Sequence, residues 1–371
     1  MSRVIRCYIP LYQIADGHTL LPSFSEDGRG SMRGGDITFH SGRTPDAQTD
    51  WIFVADKPYG TFQTSVPKER RVLVLSEPPS IRPYTRAYLE QFGTAISPYP
   101  LDGYDGRVIL HHPCIGWLAG NGVGGNEGSP PVFRNIEDVR AFRCEKTKLL
   151  SIISSLKIFC VGHKQRVTFL EALRQHFGSR AEYFGREFSP VDDKLDAIAS
   201  YTYHIAIENC ALENYWTEKL TDAWIGWSLP IYYGDPAILA QVPDPRGLEC
   251  IDISDIPSAL DTIERILKDD DYASRYEAIA KCRDWAIQES NLLEYACSLI
   301  SEAEQSVLDA RPLAEAETVY TQEEIIRRLI LAEAAVMRQE GRKEGTLLLH
   351  DDIKLKIALA AETNDVHVTP L

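Results

Sequence analysis

One stretch, Tyr203 to Gly234, YHIAIENCALENYWTEKLTDAWIGWSLPIYYG, constrains this chain more than any other. His204–Ile207 is a short apolar run that stops abruptly at Glu208 and Asn209. A helix is expected from Thr217 to Gly226 or Trp227, and Pro230 opens the next strand, IYYG. Strand, polar loop, helix and strand in that order belong to an open parallel sheet. In such sheets ligands sit at the carboxyl ends of strands, against helix N-termini. Glu208, Asn209, Tyr215, Glu218 and Lys219 would gather there. Together they suit a nucleotide diphosphate: a cation for phosphate, a carboxylate for sugar hydroxyls and a ring to pack against.

The rest of the chain repeats that alternation. RVIRCYI, DWIFVAD (50–56), RRVLVLSE (70–77) and RVILHH (107–112) read as strands in the first half. A Gly/Ser-rich mobile loop is expected before the second of them, and another at 116–131. In the second half a helix is expected near 136–155, a strand at 156–162 and a helix at 166–177. A strand at AEYF, a helix at DDKLDAIASY, a strand at LECIDI and two closing helices complete it. Alternation of this kind predicts parallel sheets covered by helices on both faces. At 371 residues, two such domains facing a cleft are expected, divided as 1–150 and 151–300, with a helical appendage over 301–371. Thr321 and Glu324 form a capping box ahead of one helix of that appendage.

A net charge of −15 excludes a general nucleic-acid binder, so a phosphate-bearing ligand must be met by local cations. The eight cysteines show no close pair of the zinc-binding kind, and no stretch is long and apolar enough for a membrane span. A reducing cytoplasm is expected, with a peripheral place at the inner membrane surface as the alternative. Gly120, Gly122 and Gly125 formally spell GxGxxG. They follow no clear strand, and Pro130–Pro131 stands where a helix should run, so a nicotinamide-dependent dehydrogenase is disfavoured.

Glu208-Asn209, Tyr215, Thr217-Glu218-Lys219, Ala223, Gly226, Pro230 and Gly234 resemble the signature of glycosyltransferase family 10, the alpha-1,3/1,4-fucosyltransferases. Cys210 replaces the usual small hydroxyl residue, and Ile205 and Ile207 replace aromatics. LKIFCVGHKQRVTFLEAL resembles the opening of the family's donor domain with a shortened loop, placing Arg166 and Phe169 at matching positions. RRVLVLSEPPS resembles an acceptor-domain segment and places Glu77 at an acidic position, with Ser-Glu-Pro where Gly-Glu-Asn is common. The resemblance covers about 156–255 and implies the GT-B arrangement: two Rossmann-like domains across a cleft. It implies GDP-fucose as donor on the carboxyl-terminal side, an acceptor oligosaccharide or glycan on the other, and inversion at the anomeric carbon.

The residues fit such a transfer. Lys219 and Arg166, each expected near a helix start, would grip the diphosphate. Glu218 would hold ribose hydroxyls, and Asn209 and Tyr215 would touch diphosphate or fucose. Glu77 is the expected general base, its pKa raised by burial. His111 and His112 are alternatives for acceptor contact or base, and paired histidines at a strand end also serve structure alone. Two cations and helix termini make a metal unnecessary for catalysis, though a divalent ion is compatible. The same fold with another nucleotide-sugar, or a binding module without turnover, are the competing readings. The appendage is a candidate for homo-oligomer formation.

Overall fold

The computed structural model describes residues 3–10, 20–123, 131–306 and 316–339. The first half supplies β1 (Ile5–Tyr8), α1 (Leu21–Phe24), β2 (Ser31–Met32), β3 (Ile37–His40), β4 (Trp51–Ala55), β5 (Phe62–Thr64) and β6 (Arg71–Val74). It continues with α2 (Arg86–Leu89), β7 (Thr94–Ser97), β8 (Arg107–Leu110) and α3 (Ile136–Ala141). Seven strands form one sheet in the order β2-β3-β1-β4-β6-β7-β8, and only the β2–β3 pair is antiparallel. Its central strands are nearly continuous apolar runs, WIFVA and RVLV. That is the pattern of parallel strands buried on both faces, and every residue of β6 is buried.

The second half supplies β9 (Lys148–Ile153), α4 (Val161–Phe177), β10 (Ala181–Phe184), β11 (Tyr201–Ile207), α5 (Glu218–Ile225), β12 (Leu229–Tyr233) and α6 (Ile238–Gln241). Then come β13 (Glu249–Cys250), α7 (Ile256–Asp269), α8 (Tyr272–Glu289) and α9 (Leu292–Ser306). The five strands are parallel in the order β10-β9-β11-β12-β13. Renumbered within the domain this is 2-1-3-4-5, so the chain reverses its direction of growth between β9 and β11. The two-domain GT-B-like architecture is therefore present as two parallel α/β sheets.

Three local expectations are corrected. The strand expected at 156–162 is a loop leading into α4, and the strand lies earlier, at Lys148–Ile153, where a helix was expected. Residues KLLSII pair between two neighbours, whereas Leu156, Ile158 and Phe159 are 44%, 55% and 48% exposed. Apolar composition alone could not tell these runs apart. DDKLDAIASY forms only a short 3-10 turn, Lys194–Ala197, capped by Asp193, and its last residue, Tyr201, already opens β11. The loop expected to be mobile before β4 carries α1 and β2, and Leu21, Phe24 and Met32 are core residues.

The chain crosses back to the first domain at Ser290–Asn291, both fully buried, with Asn291 Nδ2 donating to the Phe24 carbonyl at 2.9 Å. Leu292, Leu293, Ala296, Cys297 and Ile300 of α9 pack in the core beneath the first sheet. After the next described residues, β14 (Glu317–Val319) pairs antiparallel with β5, and α10 (Gln322–Gln339) follows, its Glu324 N–H donating to Thr321 Oγ1 at 3.1 Å. Val319 and Ile325 pack in the core on the sheet's other face. This part of the expected appendage thus completes the first domain; its last residues, from 340, lie outside the described ones.

Leu293→Ala is expected to cost about 2–5 kcal/mol in urea denaturation, whereas Leu239→Ala, at a 37% exposed position, should change stability by under about 0.5 kcal/mol. Equal effects would contradict the packing of α9 in the first domain's core.

Candidate active site

At the carboxyl ends of β9 and β11 the diverging chain leaves a cavity of about 280 Å³. Its walls come from Ile153–Ser155 and Lys157 after β9, Gly185–Glu187 after β10, Ile205–Ile207 of β11 and the first turns of α5. This is the position at which parallel α/β sheets bind ligands. Backbone crowding defines the walls. A Cβ on Gly185, at φ +128°, would come within 2.0 Å of the Ser154 carbonyl, and one on Gly162 within 1.9 Å of the Asn209 carbonyl. Glycine is the residue both approaches admit.

The start of α5 is fixed by a buried carboxylate. Glu208, 0% exposed, accepts the Thr217 N–H at 2.7 Å and the Thr217 hydroxyl at 2.9 Å, and pairs with Lys219 Nζ at 3.3 Å. Thr217 is the N-cap of α5. Glu218 pairs with Lys219 at 3.5 Å and with Lys194 at 3.4 Å, and Lys194 reaches Asp222 at 3.0 Å. Burial works against every charge here, and the outcome differs by site. Burial raises the Glu208 and Asp222 carboxyls despite their lysines. It is outweighed at Glu218, where Lys219 and Lys194 hold the carboxyl down at about 2. Burial also opposes the Lys219 charge, but Glu208, Glu218 and Glu77 together hold its pKa above the ordinary value. Lys219 is therefore cationic under all working conditions.

Arg166 stands one turn further into α4 than expected, because the helix opens at Val161. Its guanidinium still faces the cavity, donating to Asn209 Oδ1 at 2.9 Å and to the Lys157 carbonyl at 3.2 Å, while its buried Nε has no partner. His163 shares the Asn209 oxygen at 3.2 Å. Asn209 thus orients Arg166. Tyr215 is buried outside the cavity wall, close enough to Glu208, Glu77 and Glu218 for their charges to raise its pKa beyond the effect of burial.

Glu77 comes from the other domain, beyond the end of β6. Burial raises its pKa to about 7, against the opposing pull of Lys219, which lies within electrostatic reach across the cleft. Its Oε2 is buried and unpartnered. Asp56, at φ +55°, accepts the Ser76 N–H at 2.7 Å and the hydroxyls of Ser76 and Tyr84, and the Tyr99 hydroxyl donates to the Glu77 carbonyl at 3.3 Å. The backbone at Glu77 is held while its side chain is left without a bond. Buried carboxylates in that condition are where proton-accepting groups are found.

From the sequence, Asp193 is expected only as a helix cap or solvated acid and Asp222 only as a surface partner of Lys219, while Lys194 and Asp56 carry no expectation. Their roles depend on partners distant in sequence, Ser76 and Tyr84 for Asp56 and Glu218 and Asp222 for Lys194. Asp222 accepts the Leu118 and Ala119 N–H groups at 2.7 and 2.9 Å, and Asp193 accepts those of Gly120 and Gly122 at 2.7 Å each. Gly120 and Gly122 lie at φ +83° and +66°. The glycine loop does cradle an anion, but the anion is the chain's own aspartate. Gly125 lies outside the described residues.

Residues 144–308, less than half of the chain, match the sequence profile described as glycosyltransferase family 10 (fucosyltransferase) C-term. The match falls on the donor-side half of the chain. A curated relative, putative fucosyltransferase R654 of Acanthamoeba polyphaga mimivirus, is 32% identical over 97 residues, 26% of this chain and 16% of that protein. An alpha1,3-fucosyltransferase structure with GDP-fucose superposes with a TM-score of 0.47 at 15% identity, over 85% of this chain and 94% of that one. A UDP-forming alpha,alpha-trehalose-phosphate synthase from Burkholderia vietnamiensis gives 0.44 at 11% identity, over 83% and 100%. The family 10 match contains Arg166, Asn209, Tyr215, Glu218 and Lys219 and ends short of Glu77 on the amino-terminal side.

Lys194→Met leaves Glu218 and Asp222 short of a partner and is expected to cost about 3–5 kcal/mol in chemical denaturation. Lys194→Met/Asp222→Asn should cost at least about 1 kcal/mol less than the sum of the two single losses. Strict additivity would show that the pair is not energetically coupled.

Proposed function

We propose that this chain is an inverting fucosyltransferase that moves fucose from GDP-fucose to a hydroxyl of an acceptor glycan without a catalytic metal. The observation that carries the reading is that Glu77, from one domain, lies within electrostatic reach of Lys219, on the wall of the cavity in the half that matches the family 10 profile. The neighbours named for GDP and GDP-fucose agree with that donor. Among the described residues no helix is long and apolar enough to cross a membrane.

The chemistry follows from the two charges. Glu77 takes the proton of the acceptor hydroxyl as its oxygen attacks the anomeric carbon, and the bond from that carbon to the diphosphate breaks on the opposite face. Negative charge then builds on the leaving GDP. Lys219, Arg166 and the N–H groups at the start of α5 are fixed before reaction, and stabilise that charge without having to reorganise. Glu218, kept ionised, accepts hydrogen bonds from ribose hydroxyls. Lys219 gives up part of its pairing with Glu208 and Glu218 when phosphate arrives.

A screen of GDP-, UDP- and CMP-sugars should find turnover with GDP-fucose, reduced at least tenfold in Lys219→Ala, or about 1.4 kcal/mol of barrier. Binding of GDP without transfer to any glycan would instead identify a binding module, and no GDP binding would end the reading.

Glu77→Gln should keep GDP binding and lose transfer, and wild-type kcat/KM should fall as pH drops through about 7, where Glu77 takes up its proton. Stability should move the other way. A carboxyl whose pKa rises from 4.5 to about 7 on folding weakens the folded state once it ionises. That cost develops between those two pH values and is complete above the upper one. Glu77→Gln should therefore raise Tm at pH above about 7 and lose the gain in acid. A lower Tm at alkaline pH would show that the carboxylate is paired rather than poised.

A further inference from the structure

We propose that His111, His112 and Cys114 form a binding site for a single zinc-class cation at the seam between the two domains, apart from the sugar-transfer chemistry. The three side chains present ligand atoms within 4.8 Å of one another, immediately beyond the end of β8. Two imidazoles and a thiolate are the donor set that a borderline to soft transition-metal ion prefers, and such ions bind with three protein ligands and a fourth position open.

The local structure is arranged for ligation. His111 Nδ1 bonds the His112 carbonyl at 2.8 Å, which holds its ring beside the other two side chains. His112 Nε2 is buried and has no hydrogen-bond partner, and the residue is only 5% exposed. A buried polar atom left in that state costs free energy and calls for an explanation such as a bound ligand. Cys114 adopts a left-handed backbone conformation, φ +49°, uncommon for a residue with a side chain. That turn brings its sulfur to 3.5 Å from His111 Nδ1.

Loading is a proton exchange with no redox step. The Cys114 S–H bond breaks, the sulfur–metal bond forms, and the proton leaves to solvent. Coordination through His112 Nε2 moves that ring's proton to Nδ1, which releases the Cys114 N–H that it accepts at 3.2 Å in the empty site.

The site's place in the fold gives it a consequence. The His112 ring stacks on Trp216, with centroids 3.8 Å apart, and the His111 ring lies 4.3 Å from that of Tyr295 on α9. Trp216 stands between Tyr215 and the N-cap Thr217. A bound ion therefore ties the edge of the first sheet, α9 and the approach to α5 into one unit.

The test uses cobalt(II) as a spectroscopic probe on the full chain, first stripped with a chelator, with no sugar nucleotide present. One equivalent should give the visible bands of a four-coordinate ion together with a thiolate-to-cobalt charge-transfer band, and zinc should displace it. Cys114→Ser should lose the charge-transfer band, His111→Gln should bind at least tenfold more weakly, and Cys144→Ser should behave as wild type. Zinc should raise the Tm of wild type and leave that of Cys114→Ser unchanged. Absence of a thiolate band in wild type at saturating cobalt overturns the site whether or not the variants fold, and so does a band that survives Cys114→Ser. GDP binding is measured separately, so failure here leaves the transfer reading standing, and the reverse.

Discussion

The structure turns on a carboxylate that has been taken out of water. Glu208 ends β11 with no solvent exposure and spends its lone pairs on the Thr217 backbone, the Thr217 hydroxyl and the Lys219 ammonium. In a buried site such an ion pair is retained at a desolvation cost, so its worth lies in geometry more than in stability. It fixes where α5 begins, which way Lys219 points and hence where a diphosphate can be met. Glu218, Lys194 and Asp222 extend the same chain of charges along α5.

Through Asp222 and its neighbour in space, Asp193, that chain of charges reaches the first domain. Four backbone N–H groups of the loop at 118–122 end on these two carboxylates. Ile198, Ile225 and Ile287 meanwhile join the apolar core that runs beneath the first sheet to α9. The cleft therefore has a rigid floor. The two faces that meet above it, one bearing Glu77 and the other Lys219, are set by contacts made below. The proposed transfer, with its base on one domain and its phosphate grip on the other, needs such a floor, because misplacement by an ångström at the reacting atoms is costly in rate.

Glu77 shows the opposite treatment of a carboxyl group. Its backbone is tied down through Ser76, Asp56 and Tyr99, yet its own oxygen is left without a partner in a buried setting. Glu208 is satisfied and structural, and Glu77 is unsatisfied and poised. The two acids sit on facing sides of one cleft, and their surroundings push them into different work.

Much of this was legible in the chain itself. The run from Glu208 to Lys219 announced a strand end, a capped helix and a cation because those signals are local: an abrupt change from apolar to charged residues, an N-cap threonine, a helical period. Alternating strands and helices likewise fixed the class of fold. What the chain could not tell was which of two apolar runs, KLLSII or LKIFCVG, pairs in the sheet, because strand pairing is decided by neighbours distant in sequence. Nor could it tell that Gly120 and Gly122 would offer their N–H groups to Asp193, or that Lys194 would stand between two acids of α5. Local chemistry is written residue by residue, whereas burial, pairing and the pKa of a carboxyl group exist only once separate parts of the chain have been brought together.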